Sequence, residues 1–96
     1  MAVLSKEEIG EALKSMPEWS HAGNAIHRTF TFKSFMPAIG FVNKIAEAAE
    51  RANHHPDITI NYNRVSISLS THSESGVTHR DLQLAEAIDK IFASGS

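Results

Sequence analysis

The apolar residues of this chain recur with two different periods. Spacings of about 3.6 residues, typical of helices with one buried face, follow Ser5, Ser34 and Thr78. Alternation of apolar and polar residues, typical of strands with one buried face, fills residues 19–33 and 57–70. The order predicted along the chain is α-β-β-α-β-β-α.

Two of the predicted helices begin with a capping box, in which a hydroxyl and a carboxylate bond to backbone N–H groups of the first turn. Ser5 and Glu8 form one such pair, and Thr78 and Asp81 form another. Asp81 is therefore interpreted first as a capping residue, and Arg80 beside it is expected to pair with a nearby carboxylate. The stripes expected to be buried are Ile9, Ala12, Leu13 and Met16 in the first helix and Leu82, Ala85, Ile88, Ile91 and Phe92 in the last.

The middle helix is expected to be capped by Ser34 and to tolerate Pro37 in its first turn. Pro56 predicts the end of this helix at Asn53 or His54, because the residue before a proline avoids the α conformation. The apolar stripe of the middle helix is predicted to contain Ile39, Val42, Ile45, Ala46, Ala49 and Ala52.

The two alternating segments predict β-hairpins. Gly23-Asn24 provides a two-residue turn, and a second turn at Asn63-Arg64 places Tyr62 opposite Val65. Trp19 and Tyr62 then fall on the core face, so we interpret both side chains as packing in the core. The predicted fold class is α+β, a four-stranded, mainly antiparallel sheet covered on one face by three helices.

Composition limits the function classes that remain. The 96 residues fit one domain spanning 1–96, and the absence of cysteine excludes disulfides and thiol nucleophiles. Nine basic and eleven acidic residues give a formal net charge of −2 without a basic cluster, which argues against direct binding of nucleic acid. No apolar stretch approaches the roughly 20 residues that span a bilayer. We expect a cytoplasmic protein without a membrane partner.

The small size of the chain also bears on its assembly. A domain this short buries a modest core, and edge strands offer unpaired backbone groups to another chain. Pairing between subunits is therefore expected to stabilise the fold.

Histidine is the residue type that points to chemistry. Four of the six histidines lie between residues 53 and 80. Glu50 and His54 are four residues apart near a helix end, so we expect a hydrogen bond between them. His55 cannot point the same way as His54, and the hairpin at 57–70 is expected to return His72 to its own start, on the solvent side of the sheet.

Three interpretations of these histidines remain open. They can be structural or surface residues, or three imidazoles can hold zinc with an open coordination position. The spacing is poor for zinc, since adjacent histidines rarely bind one ion. The third interpretation is acid–base catalysis, because imidazole exchanges protons near neutral pH.

The same residues carry a resemblance to a known family. The pattern Glu-x3-His-His-Pro-x5-Tyr-x9-His-x8-Asp resembles that of the pterin-4a-carbinolamine dehydratases. It is formed here by Glu50, His54, His55, Pro56, Tyr62, His72 and Asp81. The resemblance extends to Pro17-Glu-Trp19, to Leu69-Ser-Thr-His72 and to the order of elements along nearly the whole chain.

The resemblance implies an activity and a set of site residues. The reaction would dehydrate 4a-hydroxytetrahydrobiopterin, or a close tetrahydropterin, to quinonoid dihydropterin and water, without metal or organic cofactor. By similarity, His54 and His72 would perform the acid–base steps, in either order, while His55 would bind the pterin and Glu50 would orient His54. The expected substrate-binding residues are His54, His55, Pro56, Thr71, His72, Ser73 and Glu74.

The resemblance also implies partners. Family members form homodimers or homotetramers, and animal members also act as dimerisation partners of a homeodomain transcription factor. The alternative function is therefore a non-catalytic interaction module.

Overall fold

The computed structural model describes residues 3–94, and its helices and strands follow the predicted order. They are α1 (Lys6–Leu13), β1 (Ser20–Ala22), β2 (Ala25–Thr31), α2 (Phe35–Ala52), β3 (Asp57–Asn61), β4 (Arg64–Leu69) and α3 (His79–Ala93), with a 3₁₀ turn at His72–Glu74. The predicted α+β class is confirmed.

Capping residues set the helix starts largely as predicted. The Ser5 hydroxyl accepts from the backbone N–H of Glu8 at 3.1 Å, and the Ser5 N–H donates to the Glu8 carboxylate at 2.7 Å. Hydrogen bonding of the Glu8 carboxylate to Ser5, from the backbone N–H first and from the side chain second, lowers the pKa of Glu8. Thr78 and Asp81 form the second capping box at α3. Ser34 occupies the N-cap of α2, but its side chain makes no capping hydrogen bond.

The sheet has the order β1-β2-β4-β3, and every neighbouring pair is antiparallel. The first hairpin has the predicted register, with Ala22 opposite Ala25 and Gly23 at a φ of 62° in the turn. The two hairpins meet along β2 and β4, so β1 and β3 form the edges.

The register predicted for the second hairpin was wrong: the turn begins one residue earlier than predicted. Asn61 lies opposite Arg64, so the turn consists of Tyr62 and Asn63 instead of Asn63 and Arg64. Asn63 is held by Phe32, the residue after β2: its side-chain amide donates to the Phe32 carbonyl at 2.8 Å, and its own carbonyl accepts from the Phe32 N–H at 2.8 Å. This contact across the sheet favours the observed turn over the one predicted from local sequence.

The turn position changes the interpretation of Tyr62. Its φ of 55° and its 63% exposure identify a surface turn residue, so the predicted packing of Tyr62 in the core was wrong. Its ring stacks on Phe35 instead, with the ring planes 7° apart. The packing prediction for Trp19 is confirmed, since Trp19 is buried and its indole N–H donates to Asp89 at 2.9 Å.

The core lies between the inner face of the sheet and the helices. In α2 the buried face is rotated from the predicted stripe, because Phe41 packs centrally against Phe30 and Phe32. Ala46 and Ala52, predicted to be buried, are exposed. The buried apolar residues of this core are Ile9, Trp19, Ile26, Phe30, Ala38, Phe41, Ile45, Ala48, Val65, Ile67, Leu69, Val77, Leu84, Ala85 and Ile88.

Within residues 3–94, no helix combines the length and the apolar character needed to cross a membrane.

Candidate active site

The end of α2 places the two adjacent histidines. Asn53 adopts a left-handed conformation with φ 50° and ψ 46°, which reverses the chain after the last helical residue. The backbone N–H of His54 then donates to the Ala49 carbonyl at 3.1 Å. The guanidinium of Arg80 donates to the carbonyls of Asn53 and Ala52, at 2.5 and 3.4 Å. The predicted pairing of Arg80 with a carboxylate was therefore wrong, because free carbonyls at the helix end lie within its reach.

The left-handed turn directs His54 away from Glu50. Its Nε2 lies 2.5 Å from Oδ1 of Asp81 at the start of α3. Both side chains are buried, with 8% of His54 and none of Asp81 exposed. The predicted hydrogen bond between Glu50 and His54 does not form. His54 lies beyond the end of the helix, so the i,i+4 geometry does not apply to it.

Asp81 is held by a buried network of hydrogen bonds. Its Oδ2 accepts from the Thr71 hydroxyl and from the backbone N–H of Thr78, both at 2.9 Å. The Thr71 and Thr78 hydroxyl oxygens are 2.7 Å apart. Because the single Thr71 hydrogen is committed to Asp81, the Thr78 hydroxyl donates to Thr71. The network thus joins the end of β4, the start of α3 and the turn after α2.

One nitrogen of the His54 imidazole remains open. No hydrogen bond within residues 3–94 engages its Nδ1. In the same part of the chain, every side-chain nitrogen or oxygen that is shielded from solvent has a hydrogen-bond partner. Because Nδ1 has no such partner, it is accessible to solvent. A carboxylate can only accept hydrogen bonds. When Asp81 is ionised, the Nε2 of His54 therefore carries the hydrogen and a neutral ring presents a lone pair at Nδ1.

Glu50 contacts the other adjacent histidine. Its Oε2 lies 2.6 Å from Nε2 of His55, and both side chains are exposed, at 77% and 58%. Because water screens such a pair strongly, the contact adds little to stability. It can orient the His55 ring at the surface.

The third histidine of the cluster lies at the same end of the sheet. Asp57 pairs with Ser68, so the residues before β3 and those after β4 lie at the same end of the sheet. His55 and Pro56 precede Asp57, and Thr71 and His72 follow Ser68. His72 is exposed, as predicted.

The predicted site residues thus form two connected groups and one open segment. Hydrogen bonds join His54, Thr71 and Asp81 in one group and Glu50 with His55 in the other. His72, Ser73 and Glu74 follow Thr71 along the chain, and Pro56 follows His55.

A cleft of about 320 Å³ opens between α2 and α3, and His54 forms part of its wall. The other predicted site residues do not line this cleft. No group of three or more His, Cys, Asp or Glu side chains within residues 3–94 has a geometry that could hold a metal ion.

Sequence reasoning missed two contributors to this site. Asp81 was interpreted as a capping residue, which it is, but its second oxygen also holds His54. Asn53 was seen only as one of two possible helix ends. The available signal was its position before His-His-Pro, since asparagine often adopts the left-handed conformation that ends a helix.

Comparison with known proteins shows close relatives of this chain. The family model described as pterin 4 alpha carbinolamine dehydratase matches residues 2–91. A protein of Herpetosiphon aurantiacus is 48% identical over 94 residues, covering 98% of each chain. A protein of Chloroflexus aurantiacus is 50% identical over 92 residues, covering 96% of this chain and 99% of its own. Both bear the name pterin-4-alpha-carbinolamine dehydratase as a provisional assignment.

Solved structures show the same fold. A Brucella melitensis protein described as a transcriptional coactivator/pterin dehydratase superposes with a TM-score of 0.89 at 41% identity, covering 93% of this chain and 97% of its own. A pterin dehydratase-like protein described as a RuBisCO assembly factor in the alpha-carboxysome superposes with a TM-score of 0.64 at 20% identity, covering 81% and 88%. This second likeness concerns the fold alone. From the family match and the close relatives, the chain belongs to the pterin 4 alpha carbinolamine dehydratase family.

Proposed function

We propose that this protein dehydrates 4a-hydroxytetrahydrobiopterin, or a close tetrahydropterin carbinolamine, to quinonoid dihydropterin and water in tetrahydrobiopterin recycling. The observation that carries the proposal is the buried His54–Asp81 pair, which leaves one imidazole nitrogen open to a ligand. Membership of the family supports the choice of substrate.

The reaction requires two proton transfers. The C4a–O bond breaks, and the leaving hydroxide must receive a proton to depart as water. The N5–H bond gives its electrons to the new C4a=N5 double bond, and its proton must be accepted. One acid and one base on either side of the heterocycle satisfy both needs.

His54 suits the role of base. Asp81 holds its Nε2–H, fixes the tautomer and would stabilise the imidazolium that forms when Nδ1 accepts the proton from N5. Asp81 is itself immobilised by Thr71 and Thr78, so the ring has little freedom to turn. Asp81 therefore replaces Glu50 as the residue that orients His54.

His72 takes the complementary role of acid in this proposal. It is exposed at the start of the 3₁₀ turn, where an imidazole can regain a proton from water after each turnover. His55, oriented by Glu50, would bind and polarise the pterin. Pro56, Ser73 and Glu74 would complete the substrate surface, and the buried Thr71 would act behind it by holding Asp81.

The direct test is the rate at which quinonoid dihydropterin forms from synthetic 4a-hydroxytetrahydropterin. Purified protein is expected to increase this rate well above that in buffer. A folded sample that gives no increase would contradict the proposed activity.

The proposed elimination needs only proton transfer, so neither metal nor organic cofactor is part of it. Activity is expected to survive prolonged dialysis against a chelator. A loss of activity that zinc restores would instead favour a metal-assisted mechanism.

An interaction module is the second candidate function. Phe35, Met36 and Tyr62 are large, exposed apolar residues, and Phe35 and Tyr62 stack on one another, so these two rings form apolar surface that a partner would cover. The name of the Brucella melitensis protein also includes a coactivator role. A folded but inactive protein in the dehydration assay would favour this second function.

A further inference from the structure

The segment that carries His72 is a short loop closed by backbone contacts. This segment, residues 71–76, is called the His72 loop below. The Thr71 N–H donates to the Gly76 carbonyl at 2.8 Å and forms an antiparallel bridge across the base of the loop. The Ser75 N–H donates to the His72 carbonyl at 3.1 Å. No side chain within residues 3–94 forms a hydrogen bond with the His72 imidazole, so the backbone of the loop sets its position.

The two sides of the loop are anchored differently. On the first side, the Thr71 hydroxyl is tied to Asp81 inside the protein. On the second side, the chain continues from Gly76 to Val77, whose carbonyl accepts from the Leu4 N–H at 2.8 Å. The N-terminal segment before α1 therefore holds the second side of the loop.

Gly76 permits this approach because it has no side chain. A Cβ atom at Gly76 would lie 2.7 Å from Cγ1 and 3.3 Å from Cγ2 of Val3. Carbon atoms in ordinary contact are about 3.5–4.0 Å apart, so Val3 would have to move. Gly76 does not have a positive φ, so close approach and not backbone conformation explains the glycine.

We propose that Gly76, packed against Val3, is a positioning residue for the dehydration and acts by letting the N-terminal segment fix the second side of the His72 loop. The inference rests on the proposed function, in which His72 donates a proton. Neither residue is expected to touch the substrate. A shift of the loop would move the imidazole away from the leaving hydroxyl and slow the proton transfer without abolishing binding.

Three variants test this contact. Gly76→Ala is expected to displace Val3 and lower kcat by about 3- to 10-fold with little change in KM, since small displacements of catalytic groups are costly. Val3→Ala removes both methyl groups and should have a small effect alone. In the double variant, the new Cβ would lie 3.6 Å from the Val3 Cβ, an ordinary contact, so kcat should recover toward the wild-type value.

A second arm tests whether the effect passes through His72. In a His72→Ala background, Gly76→Ala is expected to cause no further loss of kcat, because contributions of residues acting through one group are not additive. An equal loss in both backgrounds would overturn the proposed role. A double Gly76→Ala/Val3→Ala variant no better than Gly76→Ala would also overturn it.

Amide hydrogen exchange provides a readout that does not depend on activity. The N–H groups of Thr71 and Ser75 should exchange faster in Gly76→Ala than in the wild type, and the double variant should restore their protection. Unchanged exchange in Gly76→Ala would refute the proposed contact.

If the wild type lacks dehydratase activity, the proposed function fails while the exchange result still decides the structural part. If Gly76→Ala alone does not fold, a folded and active double variant supports the contact, and an unfolded one contradicts it.

Discussion

At the scale of single residues, the environment distinguishes three histidines that the sequence presents as similar. His54 is buried and paired with Asp81, His55 is exposed and paired with Glu50, and His72 is exposed on its loop. A buried imidazole with a fixed tautomer and an exposed imidazole that exchanges protons with water are suited to different steps. The three side chains are therefore expected to differ in their kinetic effects.

Alanine substitutions should separate these roles. His54→Ala and His72→Ala are each expected to lower kcat by roughly 10²-fold or more with a modest change in KM, as for loss of a general acid or base. His55→Ala should mainly raise KM. Steady-state rates over a range of carbinolamine concentrations measure both constants.

His21 and His27 on the first hairpin, and His79 at the start of α3, serve as controls. None of them forms a hydrogen bond with His54 or Asp81. Their alanine variants should keep near-normal rates if they fold. A control variant as slow as His54→Ala would show that the site has been assigned wrongly.

The carboxylate behind His54 gives a second residue-level prediction. In Asp81→Asn, an amide in place of the carboxylate cannot accept hydrogen bonds at both atoms, so either His54 or the Thr71–Thr78 pair loses its acceptor. If the amide nitrogen faces His54, it donates to Nε2 and places the ring hydrogen on Nδ1, which removes the base.

We expect Asp81→Asn to lower kcat by about 10²-fold or more and to lower the free energy of unfolding by roughly 1–3 kcal/mol. Enzyme kinetics and urea unfolding measure the two effects. The matched control is Asp89→Asn, since Asp89 binds Trp19 and Arg28 away from the histidines. Asp89→Asn should affect unfolding without a comparable loss of kcat. Wild-type kcat in a folded Asp81→Asn protein would contradict the proposed role of Asp81.

The limits of sequence reasoning at this scale follow from distance along the chain. His54 and Asp81 are 27 residues apart, and no local pattern relates them. The Glu50–His54 pair was predicted because helical spacing is local, and it failed where Asn53 ended the helix. The resemblance placed Asp81 among the matching residues, but only the fold shows what its second oxygen contacts.

At the scale of secondary-structure elements, the sequence predicted the fold well. Capping boxes and alternating faces are local patterns, and they located the predicted helices and strands at nearly the observed positions, whereas the 3₁₀ turn at His72–Glu74 was not predicted. The second hairpin turn is shifted, because Asn63 is fixed by Phe32, which follows β2 and lies 31 residues earlier in the chain. That contact forms because β2 lies beside β4 in the sheet, and the pattern of each hairpin alone does not predict this order.

The left-handed end of α2 gives a prediction at this scale. Asn53→Ala should lower the free energy of unfolding by about 1 kcal/mol, because alanine tolerates the left-handed conformation poorly. Asn53→Gly should be nearly neutral, since glycine adopts this conformation freely. Urea unfolding of both variants provides the measurement. Equal stabilities for the alanine and glycine variants would contradict the conformation assigned to Asn53.

At the scale of the whole molecule, the feature that bears on assembly is the sheet edge formed by strand β3. Its residues are mostly exposed, and Ile60 and Tyr62 place apolar surface at that edge. A chain of 96 residues buries a limited core, so pairing with another copy would remove an exposed edge and add buried surface. We expect at least a dimer, with a tetramer also compatible with this reasoning.

Light scattering tests this assembly. The wild-type mass should be at least twice 10.5 kDa, the mass of one chain. Ile60→Lys places a charge at the edge strand and should lower the mass, whereas Ser66→Lys on β4, which pairs with both β2 and β3, should not. A wild-type mass of 10.5 kDa at every concentration would refute the prediction.

The proposed mechanism requires two histidines, one that donates a proton to the leaving hydroxyl of a pterin carbinolamine and one that accepts the proton from its N5. The most direct measurement compares the rate of quinonoid dihydropterin formation by the wild type with that by the double variant His54→Ala/His72→Ala, at equal concentration of folded protein. Each single variant can retain activity because the remaining histidine supports one proton transfer, so the double variant is the sharper comparison. We predict rapid formation with the wild type and a rate close to that of buffer with the double variant. A double variant that keeps most of the wild-type rate would contradict the mechanism.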